Sequence, residues 1–334
     1  MFTQEQLTKW GVVDFGITSE TTPSSLEHYN NWVEAKKHLP LTYLEGDRQE
    51  KRQDLKNYWP ATSCALVFLF SYHQNHLSLK EIYDHHPDWN GLKLASYTLG
   101  FEGMDYHHLL KAHLLEIGEI LKSKNPGLEF QLALDTHPVL DRDLAYRAGL
   151  GWFGKNSMLI SKKHGSFFLI GSLLLNQKLP IAEMSTDLDH CGQCTRCIDA
   201  CPTDAIDLET RTIIAKDCIS TFTIEQFKLE TPPSEKMTLM EGTLFGCDIC
   251  QDICPWNKRL DRKLGESKNT DFFPEQKKIL DFFLLRSKKD VHDELESMGQ
   301  GEFKRYFRHT SFFRSGKRGL LKNIRLYLKE MTAK

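Results

Sequence analysis

The sequence lacks a hydrophobic run long enough to cross a membrane. Its longest apolar runs, 65–70 and 167–175, fall well short of the ~20 residues that a membrane helix needs. Gly171 and Ser172 interrupt the second run. The N-terminal stretch MFTQEQLTKWG also lacks the basic-then-apolar layout of a secretory signal. We therefore expect a cytoplasmic protein in a reducing compartment, with no membrane partner.

The sequence also has little excess charge of either sign. Lys and Arg total 43 and Asp and Glu total 45, so the formal net charge is -2. This balance excludes binding of nucleic acid through global charge alone, although it leaves room for a local basic patch. The hydrophobic fraction of 40% excludes a disordered or low-complexity chain. The length of 334 residues suits roughly two domains with a substantial core.

Cysteine, by contrast, is abundant in one short stretch. Eight of the nine cysteines lie between Cys191 and Cys254, and we interpret the ninth, Cys64, as a buried small hydrophobe. In a reducing compartment such a cluster more often binds metal than forms disulfides. The first group has the pattern C-x2-C-x2-C-x3-C-P of bacterial ferredoxins, whose last cysteine ligates the other cluster. Cys218 and a following C-x2-C-x3-C-P repeat this pattern with the first spacing stretched.

Two groups that each end in C-x3-C-P predict two 4Fe–4S clusters. Thiolates three residues apart can hold three corners of one cubane, and the cysteine before the proline then reaches the other cubane. Four-thiolate zinc sites also use the C-x2-C spacing and are the alternative. We assign cluster one to Cys191, Cys194, Cys197 and Cys254, and cluster two to Cys201, Cys218, Cys247 and Cys250.

Strand-like and helix-like segments alternate over the first half of the chain, which predicts an α/β layer domain. This domain is expected to span 1–180, with an inserted ferredoxin-like two-cluster domain at 181–260 and a short, basic helical C-terminal region at 261–334. The apolar and alternating patterns predict strands at 64–72, 128–134, 157–161 and 167–175, and helices at 105–124 and 138–148.

Asp135 directly follows the strand predicted at 128–134. In open α/β sheets ligands bind beyond the carboxyl ends of strands, so Asp135 is a candidate site residue. A carboxylate that caps the next helix is the alternative.

The C-terminal region concentrates positive charge. Residues 301–329 contain nine basic side chains against one acidic side chain, Glu302. The rings of Phe303, Tyr306, Phe307, Phe312 and Phe313 are interleaved with them. This combination suits RNA, because the charges can contact phosphates and the rings can stack on bases. The alternative is a solvated helical face whose rings pack into the core. The residues we expect at this RNA surface are Arg314, Lys317, Arg318 and Lys322.

Two further motifs resemble known binding sequences but lack their context. The stretch from Gly149 to Gly154 matches the dinucleotide fingerprint, and with Lys155 it matches most of a P-loop. Both motifs must follow a strand and open a helix, whereas here a helix precedes and a strand follows, so we reject both. The pair Asp135 and His137 resembles a cobalt-ligating D-x-H-x-x-G sequence without its glycine, so we expect His137 at a pocket wall or on the surface.

Several stretches resemble segments of the epoxyqueuosine reductase family. The central ones are LALDTHPVLDRDLAYRAGLGWFGKNSMLIS, HCGQCTRCIDACPTDAI, DCISTFTIEQ and GCDICQDICPWN, with EKRQDLKNYWP and GMDYHHLLK upstream. The similarity covers most of residues 1–330. It departs at His137, where a small residue is usual, and at Asp141, where glutamate is common.

The resemblance implies a cobalamin-dependent oxidoreductase of queuosine biosynthesis, which reduces epoxyqueuosine to queuosine at the wobble position of tRNA. Its α/β cobalamin domain would be similar to those of reductive dehalogenases. Two 4Fe–4S clusters, charged by an external flavodoxin- or ferredoxin-type donor, would deliver electrons to cobalt, which stores them as Co(I). A monomer is expected. The implied proton donor is Asp135, and the implied cobalamin contacts are Arg52, Tyr97, Asp135, Leu159 and Ile170.

Protonation of the departing oxygen by Asp135 near neutral pH would require burial beneath a large apolar ring to raise the pKa of its carboxyl. Two other functions remain open on the sequence. One is a ferredoxin-like electron-transfer protein without chemistry of its own, and the other is a related cobalamin and iron–sulfur reductase that acts on a small molecule such as an organohalide.

Overall fold

The computed structural model describes residues 2–186, 188–226, 235–240, 242–265 and 271–329. The strands are β1 (Val12–Thr18), β2 (Cys64–Ser71), β3 (Lys93–Leu94), β4 (Phe130–Ala133), β5 (Trp152–Phe153), β6 (Leu159–Ile160), β7 (Phe168–Leu175), β8 (Ile206–Asp207), β9 (Thr212–Ile213) and β10 (Thr243–Phe245). The α-helices are α1 (Gln4–Lys9), α2 (Leu26–Glu34), α3 (Asp47–Lys51), α4 (Leu55–Tyr58), α5 (His73–His85), α6 (Tyr106–Lys124), α7 (Asp141–Arg147), α8 (Arg196–Asp199), α9 (Ile249–Asp252), α10 (Pro255–Leu264), α11 (Pro274–Phe283), α12 (Lys288–Ser297), α13 (Gln300–Phe307) and α14 (Phe312–Lys329).

The main sheet has four strands in the order β1-β2-β7-β4, and each adjacent pair is antiparallel. The central strand β2 is covered on both faces, which agrees with its continuous apolar sequence. Its register with β7 pairs Cys64 with Leu175 and Ser71 with Phe168. The strands predicted at 64–72, 128–134 and 167–175 are therefore confirmed as β2, β4 and β7.

Helices cover the two faces of this sheet. The apolar stripe of α6 packs on the face that carries Leu66 and Phe68, and the predicted helix at 105–124 is confirmed. Asp105 caps its N-terminus by accepting a hydrogen bond from the main-chain nitrogen of His107. On the opposite face, Leu144 of α7 packs against the alternating side chains of β2.

Two predicted boundaries differ from the structure. The helix expected at 138–148 begins at Asp141, because the preceding residues form turns closed by bonds such as that from the nitrogen of His137 to the oxygen of Leu134. The strand expected at 157–161 is reduced to β6, because a turn joins Gly154 to Met158 and leaves only two residues to pair with β5.

A second core brings the C-terminal helices together with α5, β3 and β10. The rings of Phe303, Phe307 and Phe312 are fully buried in it, whereas Phe313 is 41% exposed. The interpretation of these rings as a stacking surface for RNA bases is therefore wrong for the three buried ones, since α11 to α14 need them to form their core.

The cysteine-rich segment consists of short elements held against the main sheet. Asn257, which is fully buried, accepts a hydrogen bond of 2.8 Å from the main-chain nitrogen of Ser166 and donates one of 2.8 Å to the oxygen of Gln251. At Gly165 (φ 65°) a Cβ would lie 2.1 Å from Oδ1 of Asn257, so this close approach requires glycine. Within the described ranges, none of the helices is both long and apolar enough to span a membrane.

Candidate active site and cluster-binding module

Asp135 lies where the end of β4 meets the start of α6. Its Oδ1 is 2.9 Å from Nε2 of His107, and its Oδ2 accepts a 2.5 Å hydrogen bond from the hydroxyl of Tyr106. The other ring nitrogen of His107, Nδ1, is 2.7 Å from Oδ1 of Asp105. His107 therefore stands between two carboxylates, and one hydrogen-bonded chain joins Asp105, His107, Asp135 and Tyr106.

The charges in this chain decide where its proton resides. Burial would raise the pKa of Asp135, but the hydrogen bond and positive charge of His107 and the hydrogen bond of Tyr106 together hold it below its usual value. Burial would lower the pKa of His107, but Asp105 and Asp135 raise it to about 9. At neutral pH His107 is therefore protonated and Asp135 is ionised. In this arrangement the shared proton lies on His107 rather than on Asp135.

Sequence reasoning missed Tyr106 and His107. Both lie in the stretch GMDYHHLLK, where the apolar spacing predicts only the start of an amphipathic helix. The available signal was the polar pair that directly follows the helix-capping Asp105. The position of this helix start beside the end of β4 comes from the packing of α6 on the sheet, and no local pattern encodes it.

Two cavities meet at Asp135. One, of about 500 Å³, is bordered by Arg52, Val139, Asp141 and Arg142, and the other, of about 770 Å³, by Arg48, Glu225 and Arg314; Tyr43 and Asp135 border both. The side chain of Asp135 is 47% exposed, so the carboxylate is accessible from this space. Each cavity alone falls within the usual size range of small-molecule and cofactor sites.

The other predicted cofactor contacts are placed differently. The ring of Tyr97 makes an edge contact with the ring of Tyr106, with centroids 5.8 Å apart. Tyr97 therefore contacts Tyr106, which in turn binds Asp135. Leu159 is buried in the hydrophobic core that includes Val139, and Ile170 packs against the same core. Among the described residues, Leu159 and Ile170 are not part of the lining of either cavity. His137 accepts a hydrogen bond from the main-chain nitrogen of Leu134.

Asp141 is a buried carboxyl beside the first cavity. Burial and the negative charge of Asp135 raise the pKa of Asp141 to about 8. Its Oδ1 is inaccessible to solvent and has no hydrogen-bond partner among the described residues. A buried oxygen of this kind fits a ligand that brings a hydrogen-bond donor, such as an amide.

Each cluster-motif cysteine with a raised thiol pKa has charged neighbours that include other cysteines of this segment. None of the nine cysteines forms a disulfide. Burial raises the pKa of Cys197 to about 11, and the charges of Cys191, Cys254 and Cys194 add to this effect. Burial likewise raises the pKa of Cys250 and Cys247. Cys218 and Cys201 are charged neighbours of both, and Cys197 is a further charged neighbour of Cys250.

This thiol arrangement suits iron–sulfur clusters. Closely spaced thiolates repel one another, and iron removes this cost because its positive charge stabilises the ionised form. No three His, Cys, Asp or Glu side chains of the described ranges converge on a point where they could share one metal ion. In a cubane each cysteine binds its own iron atom, so a cluster does not require such convergence.

The four basic residues predicted to face tRNA occupy three kinds of position. Arg314 borders the larger cavity and forms a 2.8 Å ion pair with Glu225, and Arg318 is exposed. Lys317 donates to the main-chain oxygens of Glu296 and Met298, each at 2.7 Å.

Lys322 occupies the third kind of position, inside the protein. It is 8% exposed, lies 3.6 Å from the centroid of the Phe222 ring and donates to the main-chain oxygens of Phe222 and Gln226. Burial lowers the pKa of its ammonium group to about 7. The structure does not support a phosphate contact by Lys322, because its amine already holds carbonyls in the core.

Comparison with known proteins identifies the family. The profile described as "Epoxyqueuosine reductase QueG, DUF1730" matches residues 52–136, and that described as "4Fe-4S double cluster binding domain" matches residues 190–257. The curated epoxyqueuosine reductase of Cyclobacterium marinum is 36% identical over 249 residues, which is 74% of each chain. The chain belongs to the epoxyqueuosine reductase family. The double cluster match also makes the cysteine module an iron–sulfur module, and zinc is set aside.

Solved epoxyqueuosine reductases share the fold. One, crystallised with an epoxyqueuosine-modified tRNA-Tyr stem loop, is 27% identical, with a TM-score of 0.75 over 97% of this chain and 79% of its own. The reductase from Bacillus subtilis is 26% identical, with a TM-score of 0.75 over 97% of this chain and 80% of its own. Its structure has a catalytic loop, named for an aspartate, swung out of the active site.

Proposed function

We propose that this chain reduces epoxyqueuosine to queuosine in tRNA, with cobalamin in the cavity at Asp135 and electrons delivered through two 4Fe–4S clusters. The observation that carries the proposal is that one chain of this family contains both a candidate acid site and a double cluster domain. A carboxylate with a protonated histidine behind it opens onto two cavities, and a double cluster domain lies in the same chain. The aspartate of the B. subtilis catalytic loop supports the choice of Asp135.

The residues around the smaller cavity suit cobalamin. Arg52 and Asp141 border it, and the unpartnered oxygen of Asp141 could accept a hydrogen bond from a corrin amide. Tyr97, Leu159 and Ile170 are proposed to support the corrin from the surrounding core. When bound, cobalamin supplies a cobalt centre that accepts electrons one at a time and reduces the substrate with two.

The protein's part in the reaction is to supply protons. Removal of the epoxide oxygen as water, with formation of a carbon–carbon double bond, consumes two electrons and two protons. Asp135 is proposed to deliver a proton to the departing oxygen. His107 carries this proton beforehand on Nε2, which lies 2.9 Å from Oδ1 of Asp135. Tyr106 fixes the second carboxylate oxygen, so that Asp135 presents a defined face to the cavity.

We retain the crossed ligand sets for the clusters as part of the proposal. Three further expectations accompany it: a flavodoxin- or ferredoxin-type electron donor, a monomer and a cytoplasmic location. The division into a cobalamin domain at 1–180, a cluster domain at 181–260 and a C-terminal region at 261–334 is likewise proposed.

An anaerobic assay tests this function. Purified protein with intact clusters is supplied with cobalamin, a low-potential reductant and epoxyqueuosine-containing tRNA, and the nucleoside is identified by mass. We expect loss of one oxygen atom, dependent on cobalamin. Clusters without cobalamin uptake would indicate an electron-transfer protein instead, and turnover of an organohalide but not of tRNA would indicate the small-molecule reductase.

The pKa of His107 predicts the alkaline limb of activity. Proton delivery needs the protonated His107 ring. The turnover rate should therefore be constant at pH values well below 9 and fall as pH rises through about 9. The raised pKa also means that the His107–Asp135 pair stabilises the fold fully below the unfolded value of about 6.5 and loses this contribution through about 9. His107→Gln should lower turnover at neutral pH and remove the limb at 9.

The matched control for this profile is His108→Gln, which changes the next residue of α6 and leaves the Asp105–His107–Asp135 chain in place. It should keep the wild-type profile. An unchanged alkaline limb in His107→Gln would show that another group sets it.

The exposed arginines at the start of α14 predict the salt dependence of tRNA binding. Replacing Arg314 and Arg318 together by glutamine should weaken binding and flatten the plot of log affinity against log salt by about 0.7–0.9 for each phosphate that these arginines neutralise in the wild type. Lys322→Gln should leave the slope unchanged, because its amine is buried. An unchanged slope in the double variant would assign these arginines to the protein structure alone.

A further inference from the structure

Three consecutive side chains on the turn after β5 each hold a different part of the iron–sulfur module. Lys155 donates to the main-chain oxygens of Gly192 and Cys194, at 2.8 and 3.0 Å. Asn156 donates to the oxygen of Cys250, at 3.3 Å, and Ser157 to that of Arg211, at 2.6 Å. This is the glycine-rich stretch that matches most of a P-loop without its context, and its lysine has a role that phosphate binding does not explain.

The glycines of this stretch serve close packing. At Gly151 a Cβ would lie 2.2 Å from the main-chain oxygen of Ile160, and at Gly154 a Cβ would lie 2.6 Å from Oδ1 of Asn156. Gly151 therefore allows the main chains of β5 and β6 to approach closely, because its clash would be with main-chain atoms. At Gly154 the neighbouring atoms are the ends of side chains.

Lys155 is a buried cation with an incomplete set of partners. It is 7% exposed, and in the described ranges its ammonium group bonds to carbonyl oxygens and forms no ion pair with a carboxylate. A buried charge normally requires an opposite charge nearby. The two carbonyls belong to the loop that carries Cys191, Cys194 and Cys197, so a four-thiolate cluster on this loop would supply the negative charge.

The same turn borders the cavity at Asp135. Ser157, Arg211 and Arg142 line the cavity of about 500 Å³. Arg142 donates to the main-chain oxygen of Ser157. The segment 155–157 therefore contacts both the cluster module and the cavity.

We propose that Lys155 is a positioning residue that ties the cluster-one loop to the cavity and, through its buried positive charge, raises the reduction potential of cluster one. The proposal rests on the proposed ligand set of cluster one and deepens the proposed function. The net charge around an iron–sulfur cluster is one of the determinants of its potential, and a nearby cation favours the reduced, more negative state. Lys155 would therefore favour the transfer of electrons onto this cluster.

The test is a potentiometric titration of the two clusters, followed by electron paramagnetic resonance without cobalamin or tRNA. In Lys155→Met one cluster should shift to a more negative potential, because the charge is removed while the length of the side chain is kept. Lys155→Arg should stay near wild type. The control Lys178→Met changes an exposed lysine just beyond β7 and should leave both potentials unchanged.

Each outcome decides the proposal. Unchanged potentials in Lys155→Met with full iron content would overturn it, as would an equal shift in Lys155→Met and Lys155→Arg. If Lys155→Met loses iron, retention of iron in Lys155→Arg supports the charge, and loss in both variants overturns it. Failure of tRNA reduction would leave these potentials measurable, whereas wild-type protein without two 4Fe–4S signals would overturn the ligand sets as well.

Discussion

Asp135→Asn is expected to lower turnover of epoxyqueuosine-containing tRNA by about 10²–10⁴-fold, the usual contribution of a general acid. The amide keeps the size of the side chain and can still accept a hydrogen bond from Tyr106, but it cannot pass on the proton held by His107. Since Asp135 lies outside the cysteine module, iron content and the cluster signals should match those of wild type. Turnover is measured by the mass of the nucleoside.

A second readout separates loss of proton transfer from a general disturbance of the pocket. Asp135 is one of the two carboxylates that raise the pKa of His107, so its removal should move that pKa down from about 9. Nuclear magnetic resonance or any residual pH profile can detect this shift. The control Asp88→Asn changes an exposed carboxylate and should behave as wild type. Full activity in Asp135→Asn would remove Asp135 from the mechanism.

Short sequence patterns correctly predicted the features that are determined by residues close together in the chain. The continuous apolar run of β2 and the stripe of α6 gave strand and helix correctly, because burial on one or both faces imposes those periods. The cysteine spacing indicated iron–sulfur clusters, because the loops that surround a cubane are short and local.

Features that depend on contacts between distant segments could not be predicted in this way. His107 and Asp135 are 28 residues apart, and their pairing lowers the pKa of Asp135, which no local pattern indicates. Lys322 lies in a basic stretch, but the fold turns it toward the carbonyls of Phe222 and Gln226. Charge and spacing along a helix do not reveal which side chains face another element of the chain.

The crossed ligand sets predict the largest change in metal content. Cys254→Ser, which alters the second motif, should remove cluster one, because Cys254 is a charged neighbour of Cys197. Cys201→Ser, which alters the first motif, should remove cluster two, because Cys201 is a neighbour of Cys218 and Cys247. Each variant should hold about half of the wild-type iron and lose turnover, because a chain of two clusters conducts only when both are present.

Comparison of these variants with Cys197→Ser and Cys247→Ser distinguishes crossed from uncrossed ligation. In the crossed arrangement, Cys254→Ser and Cys197→Ser should abolish the same resonance signal, and Cys201→Ser and Cys247→Ser the other. The control Cys64→Ser changes a buried thiol that lies in β2, outside the module, and should keep both signals. If Cys254→Ser and Cys247→Ser instead removed the same signal, each motif would hold its own cluster. The neighbours of Cys197 argue for the crossed outcome, because they include two thiols of its own motif and one from the motif more than fifty residues away.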